Sequence, residues 1–280
     1  MTLEMHTSRR EREVAFRIAQ RQEQEARRGT RVANISPEIR GRATDVYRVF
    51  QEFSRGGIVN PNGITMQKML ESRIGMEAQI RAVLFWGGSD KPAVDDHDLR
   101  FIRKLRDRLQ SPIQELYPTG LATTVIFGDV HVLGNGYIDL SSGGLLPETD
   151  RYLDQASGAL RETLPGLREI LWLSDLHRKY NIPPGSQSNP SPEAYKVFEK
   201  HRDFLLANAE NHSRQRDPVT AAIMYVDTRI REKEILAGEF PDAILIASGI
   251  RKGATDIILP EGMPGVFSND QAPWFRKDTQ

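Results

Sequence analysis

Short apolar runs alternate with polar loops in the central part of the chain, in the order typical of a βαβ unit. Residues 80–86 and 123–127 have the length and the β-branched or aromatic content of strands, and residues 95–116 between them follow a helical pattern. Two strands joined through a helix are expected to run parallel, with a right-handed crossover. Ligands of open parallel sheets bind beyond the carboxyl ends of the strands. The polar loops at 87–92 and 128–136 are therefore the first candidate positions for chemistry.

The same hydrophobic pattern predicts the remaining elements. Further helices are predicted at 37–53, 65–74, 147–163, 192–210 and 217–237, and further strands at 169–173, 243–247 and 256–259. The short join at 249–253 predicts an antiparallel hairpin at the sheet edge. A charged helix at 11–28 is predicted to face solvent or a partner. We therefore predict an α/β fold: a Rossmann-like, mostly parallel sheet with helices on both faces over 76–280, after an N-terminal helical extension at 1–75.

The amino-acid composition disfavours several classes of binding partner. Lysine plus arginine and aspartate plus glutamate are equal at 38 each, and this balance disfavours a nucleic-acid or membrane-surface binder. There are no cysteines, which excludes disulfides, thiolate catalysis and cysteine-ligated metals. No apolar run approaches the ~20 residues of a membrane span, and the charged N-terminus lacks the apolar segment of a secretory signal. The expectation is a cytoplasmic protein with a small-molecule substrate, and a homo-oligomer is compatible with it.

Asp129 and His131 form the sharpest local signal. Alternation along an extended strand end places the two side chains on one face. A carboxylate beside an imidazole sets its tautomer and suits it to general acid–base work. Two alternatives stay open: a hydrogen-bonded turn in which Asp129 holds loop amides, or two ligands of a metal site that needs a third.

Three cations follow the predicted strands. Lys91 lies with Ser89 in a Gly-Gly-Ser-Asp-Lys-Pro loop, which suits a phosphate or a carboxylate although it is not a Walker A loop. Arg251 and Lys252 lie beyond the strand at 243–247 and could bind an anion in the same way. The alternative for each is a solvated surface cation.

Other residues receive simpler interpretations. His97 lies among aspartates at a helix start, where capping and the helix dipole explain the acidic residues. His177 follows the third strand and is a secondary pocket candidate. Trp86 is expected in the core, and Trp274 is a candidate for lining a pocket.

Five segments of this chain resemble, in order, those of the isocyanide (isonitrile) synthase family, the PvcA-like enzymes of natural-product and spore-wall pathways. The first is a strand ending in an aromatic residue and a lysine-bearing loop, and the second is a Tyr-Pro turn after a long helix. The third is a strand end with an aspartate, the fourth leads into a late strand, and the fifth resembles a closing Thr-Pro-Trp-His. In this chain they are 85–91, 117–120, 129–135, 240–244 and 272–275. The likeness covers about residues 78–275.

The resemblance implies a biosynthetic enzyme that modifies the amine of an amino acid or related small molecule. In the family chemistry, the amine condenses with the ketone of ribulose 5-phosphate, and fragmentation leaves an isonitrile carbon. Asp129 and His131 would then handle protons, with no cofactor and no assigned metal ligand. The substrate-binding residues would be Lys91, Ser89, Asn135, Arg251, Lys252 and Trp274.

The chain also departs from the family pattern. Residues 245–249 (Leu-Ile-Ala-Ser-Gly) carry neither the arginine nor the histidine of the family strand, and Phe275 replaces the closing histidine. Two alternatives follow from these departures. The first is a Rossmann-like relative with a different carbon–nitrogen bond-forming or transfer reaction. The second is a catalytically degenerate binding or partner protein.

Overall fold

A computed structural model of the chain describes residues 35–60, 66–87, 93–129, 138–139, 144–145, 147–181, 190–212, 217–248 and 257–268. Its helices are α1 (Pro37–Ser54), α2 (Met66–Gly75), α3 (Asp96–Leu105), α4 (Ser111–Leu116), α5 (Pro147–Thr163), α6 (Leu173–Lys179), α7 (Pro192–Lys200), α8 (Arg202–His212) and α9 (Pro218–Glu239). Its strands are β1 (Arg55–Val59), β2 (Ile80–Gly87), β3 (Leu121–Gly128), β4 (Ile138–Asp139), β5 (Gly144–Leu145), β6 (Leu167–Trp172), β7 (Ala243–Ser248) and β8 (Gly265–Ser268). A π-helical stretch, Arg106–Gln110, joins α3 to α4.

Six of these strands form one mostly parallel sheet, as predicted. The order across the sheet is β1-β8-β7-β2-β3-β6. Four neighbouring pairs (β8–β7, β7–β2, β2–β3 and β3–β6) are parallel, and only the pairing of β1 with β8 is antiparallel. The pair β4–β5 forms a separate antiparallel ribbon. The predicted βαβ unit is thus β2, the helical segment 96–116 and β3.

Helices cover both faces of the sheet. β3 is buried along its whole length, which explains its continuous apolar and β-branched sequence. Alternation along β2 directs Leu84 and Trp86 into the core beneath α1 to α5, and Val83 and Phe85 into the core beneath α6 to α9. The predicted Rossmann-like arrangement, with a helical N-terminal region, is confirmed.

Local signals in the sequence account for two element boundaries. The hydroxyl of Ser36 accepts the amide of Ile39 at 3.3 Å and caps α1, and Pro37 occupies the first helical position. Gly120 ends the Tyr-Pro-Thr-Gly turn before β3 with φ +72°, a conformation that favours glycine.

The predicted fifth strand and hairpin are wrong. Ile257 and Ile258 are buried in a turn rather than a strand, and β7 pairs instead with β8, in parallel. A parallel partner requires the chain to return to the start of the sheet before β8 begins. The two isoleucines of the run are buried, but burial alone does not specify a strand.

Smaller differences occur near the N-terminus and in the helices. The helix predicted at 37–53 ends at Ser54, and β1, which was not predicted, follows directly as the antiparallel edge strand. The helix predicted at 192–210 is divided at His201 into α7 and α8. The helix predicted at 11–28 lies outside the described residues. The domain boundary at residue 75 stays a prediction, and the segment before it contributes β1 to the main sheet.

Candidate functional site

The carboxyl ends of the parallel strands define the candidate site. Gly87 of β2 and Gly128 of β3 are paired in register, so these strands end at one level, and β7 ends beside them at Ser248. From β2 the chain crosses towards β3 and β6, whereas from β7 it crosses the other way, to β8. The topological switch point therefore lies between β2 and β7, where open α/β sheets bind their ligands.

Most of the predicted site residues lie outside the described residues. The segments carrying them follow Gly87, Gly128, Ser248 and Ser268 directly in the chain. Their proposed roles stay predictions. These residues are Ser89, Lys91, His131, Asn135, Arg251, Lys252 and Trp274.

Asp129 lies within the described residues, and its carboxylate binds the N-terminal end of α6. It is 8% exposed, and its Oδ1 accepts the backbone amide of Ser174, in the first turn of α6, at 3.0 Å. A carboxylate at a helix N-terminus satisfies an amide that has no partner within the helix and interacts favourably with the helix dipole. Asp129 therefore links the end of β3 to α6. Its pairing with His131 stays a prediction.

A buried polar network lies on the face of α1 to α5. The indole Nε1 of Trp86 donates to the Tyr152 hydroxyl at 3.1 Å, and that hydroxyl donates to Oδ1 of Asp98 at 2.7 Å. Oδ2 of Asp98 accepts the Asp95 amide at 2.9 Å, completing a capping box at the start of α3. The network ties β2, α3 and α5 together. It confirms that Trp86 belongs to the core and that the aspartates around His97 cap the helix.

A second polar cluster lies on the opposite face, beneath the end of β2. We call Tyr225, Arg229 and Glu232 of α9, with His177 of α6, the buried charge cluster. Nη1 of Arg229 donates to Oε2 of Glu232 at 2.8 Å, and Nε of Arg229 donates to the Tyr225 hydroxyl at 3.2 Å. Nε2 of His177 lies 3.3 Å from Oε1 of Glu232. The guanidinium carbon of Arg229 lies 4.8 Å from the centroid of the Phe85 ring, two residues before β2 ends.

The electrostatics of this cluster follow from its burial. Burial by itself would lower the pKa of Arg229, but Tyr225 and the charge of Glu232 outweigh it and raise that pKa above its ordinary value. Glu232 is 1% exposed, so its charge depends on Arg229. Removing one partner of such a pair typically costs about 3–5 kcal/mol, because the other charge is left buried.

Only one of the two ring nitrogens of His177 has a hydrogen-bond partner within the described part of the chain. The residue is 2% exposed, and its Nδ1 has no hydrogen-bond partner among the described residues. Leaving a buried polar atom unsatisfied costs about 1–3 kcal/mol. The described side chains provide no hydrogen-bond partner for Nδ1 of His177 that would offset this cost.

Of the residues in this cluster, only His177 could be singled out from the sequence. The spacing of Tyr225, Arg229 and Glu232 places all three on one helical face, but charged residues at this spacing normally indicate a solvated face. The usable signal was the apolar sequence on either side of them, Ala221–Val226 and Ile235–Leu236, which indicates a helix buried on most sides.

No metal site and no membrane span is found within the described residues. No group of three histidine, aspartate or glutamate side chains there could hold a metal ion. Since His131 is outside these residues, a metal at Asp129 and His131 is not tested. In the same part of the chain no helix is long and apolar enough to cross a bilayer.

Comparisons with known proteins give matches among solved structures alone. No protein-family model matches the sequence, and no curated protein matches it. A crystal structure of PvcA from Pseudomonas aeruginosa is similar with a TM-score of 0.48 and 16% identity, over 83% of this chain and 78% of that chain. Tyrosyl-tRNA synthetases from Archaeoglobus fulgidus (TM-score 0.43, 12% identity) and Leishmania major (0.45, 10%) also match. This chain covers 64% and 31% of those two chains. PvcA belongs to the family that the sequence resembles, and it is also the first of these structures. Neither likeness shows a reaction for this chain.

Proposed function

We propose that the chain is a biosynthetic enzyme, resembling isocyanide synthases, that modifies the amine of an amino acid or related small molecule. Ribulose 5-phosphate is the proposed co-substrate. The observation that carries the proposal is the switch point between β2 and β7. The loops that follow these two strands contain Lys91 and the pair Arg251–Lys252. Cations at such a position suit a phosphate or a carboxylate.

Each predicted residue has a role in this proposal. Lys91 and Arg251 or Lys252 bind the phosphate and the carboxylate. Ser89 and Asn135 donate or accept hydrogen bonds to the substrate, and Trp274 lines the pocket.

Proton transfer in this proposal belongs to Asp129 and His131. The contact of Asp129 with Ser174 uses Oδ1, and the proposal assigns Oδ2 to the imidazole of His131. A carboxylate anchored on a helix amide is fixed in orientation, which is what a group that sets a histidine tautomer requires.

The proposal is tested by mass spectrometry of the protein incubated with pooled amino acids and ribulose 5-phosphate. We expect a product in which one amino acid has gained a single carbon on its nitrogen. Lys91→Ala should abolish this product without altering thermal stability. Lys196→Ala, on the exposed surface of α7, is the matched control and should keep full activity. Absence of product together with absence of binding of either compound would contradict the proposal.

A further inference from the structure

The buried charge cluster differs in one respect from the network around Tyr152. In that network the Tyr152 hydroxyl both accepts a hydrogen bond and donates one, and both carboxylate oxygens of Asp98 are engaged. Such a network needs nothing further and serves the fold. In the cluster, His177 and Glu232 are buried whereas Tyr225 and Arg229 are partly exposed, and one end of the hydrogen-bond chain, Nδ1 of His177, has no partner among the described residues.

The contacts of Glu232 determine the state of His177. Arg229 holds Glu232 in its ionised form, and an ionised carboxylate only accepts hydrogen bonds. Nε2 of His177, 3.3 Å from Oε1 of Glu232, must therefore carry the proton. In the neutral imidazole Nδ1 is then the acceptor, with its lone pair directed away from Glu232.

This is the arrangement of a general base and the carboxylate that orients it. Arg229 fixes Glu232, Glu232 fixes the imidazole, and Nδ1 has no partner among the described residues. Buried ion pairs are not needed for stability, since apolar side chains of similar volume commonly serve as well. In this cluster an acceptor without a partner among the described residues leaves one hydrogen-bonding position open to a ligand.

We infer that His177 accepts a proton from the ammonium group of a bound primary amine, with Glu232 and Arg229 as positioning residues. The step is a proton transfer alone: one N–H bond of the ammonium breaks and an N–H bond forms at Nδ1. The products are the neutral amine, which is the nucleophilic form, and an imidazolium ion stabilised by Glu232. The inference rests on the proposed function, because it supplies the free amine which that reaction needs, and it adds a second histidine besides His131.

The direct test is nitrogen NMR of the histidine rings in the wild-type protein. The chain has six histidines, and the His177 signals are assigned with His177→Gln or by elimination with variants of the other five. We expect a protonated Nε2 and an unprotonated Nδ1 in the free protein. Pooled amino acids should shift the Nδ1 signal of His177, whereas the same amino acids with acetylated nitrogens, which carry no ammonium, should not. Identical spectra with both ligand sets would overturn the inference.

Substitutions in the cluster provide a second test of the inference. His177→Gln should weaken binding of pooled amino acids about tenfold or more, the effect of losing a charge-assisted hydrogen bond. Glu232→Gln keeps the side-chain shape but removes the charge that stabilises the imidazolium, so the pH dependence of amine binding should change. Lys196→Ala, on the exposed surface of α7, is the control and should bind as the wild type does.

The outcomes separate this inference from the proposed function. If amines bind through His177 but no carbon is added to them, the proposed reaction fails and the inference stands. If product forms equally well in His177→Gln, the proposed reaction stands and the inference fails. If amines neither bind nor react, both fail.

Discussion

Tyr152→Phe removes one hydroxyl group at the centre of the network that joins β2, α3 and α5. That hydroxyl is fully buried and takes part in two hydrogen bonds, from Trp86 at 3.1 Å and to Asp98 at 2.7 Å. A neutral hydrogen bond contributes about 0.5–1.5 kcal/mol and one to a charged group about 1.5–3 kcal/mol. Their sum predicts that the variant loses about 2–4.5 kcal/mol of unfolding free energy. For a chain of this size the midpoint of thermal unfolding should fall by about 4–8 °C.

The same substitution has a predicted pH dependence. Burial raises the pKa of Tyr152 well above its ordinary value of 10.0, and the charge of Asp98 raises it further. The unfolded chain releases this proton near pH 10, whereas the folded chain retains it. The contribution of Tyr152 is therefore fully present below pH 10 and decreases as the pH rises above that value. The stability difference between wild type and variant should shrink in that range.

Urea denaturation followed by tryptophan fluorescence measures both effects. Tyr195→Phe removes a hydroxyl from a side chain that is 48% exposed, and it should change stability by less than about 0.5 kcal/mol. A Tyr152→Phe variant as stable as this control, or a stability difference that is constant through pH 10, would refute the reasoning.

Three further substitutions test the packing around the sheet and the candidate site. Gly166→Ala would place a Cβ 2.3 Å from the carbonyl oxygen of Leu121, so it should destabilise the fold by about 1–3 kcal/mol in urea denaturation. Gly158→Ala lies inside α5 with nothing within 4 Å of the added Cβ, and it should instead stabilise the fold by about 0.5–1 kcal/mol. A Gly166→Ala variant that is more stable than Gly158→Ala would contradict the packing described at these two positions. Asp129→Asn should cost about 0.5–1 kcal/mol by removing the charge beside the Ser174 amide, and no loss of stability at neutral pH would mean that this contact does not hold α6.

The central sheet could be predicted because its strands are unambiguous. β2 and β3 are buried on both faces, and their sequences are therefore continuous apolar or β-branched runs with polar loops after them. β1 and β8 could not be predicted. β8 has four residues of which only Val266 and Phe267 are apolar, and a run of three apolar residues at 257–259 precedes it. In β1 the glycine pair is typical of a helix end and hides the strand that follows.

The candidate site could be predicted in part. The rule for parallel sheets identified the edge, and the register of Gly87 with Gly128 agrees with it. The buried charge cluster could not be predicted, because its three residues on α9 meet His177 only through tertiary packing. Helical spacing alone does not distinguish a buried charged face from a solvated one.

The most direct test of the proposed reaction follows one carbon atom. Ribulose 5-phosphate labelled with ¹³C at its ketone carbon is incubated with the protein and pooled amino acids, and the products are analysed by mass spectrometry and carbon NMR. We expect a product with the labelled carbon bonded to the amino nitrogen, absent from Lys91→Ala and present with Lys196→Ala. A wild-type protein that transfers no labelled carbon to any amine would contradict it.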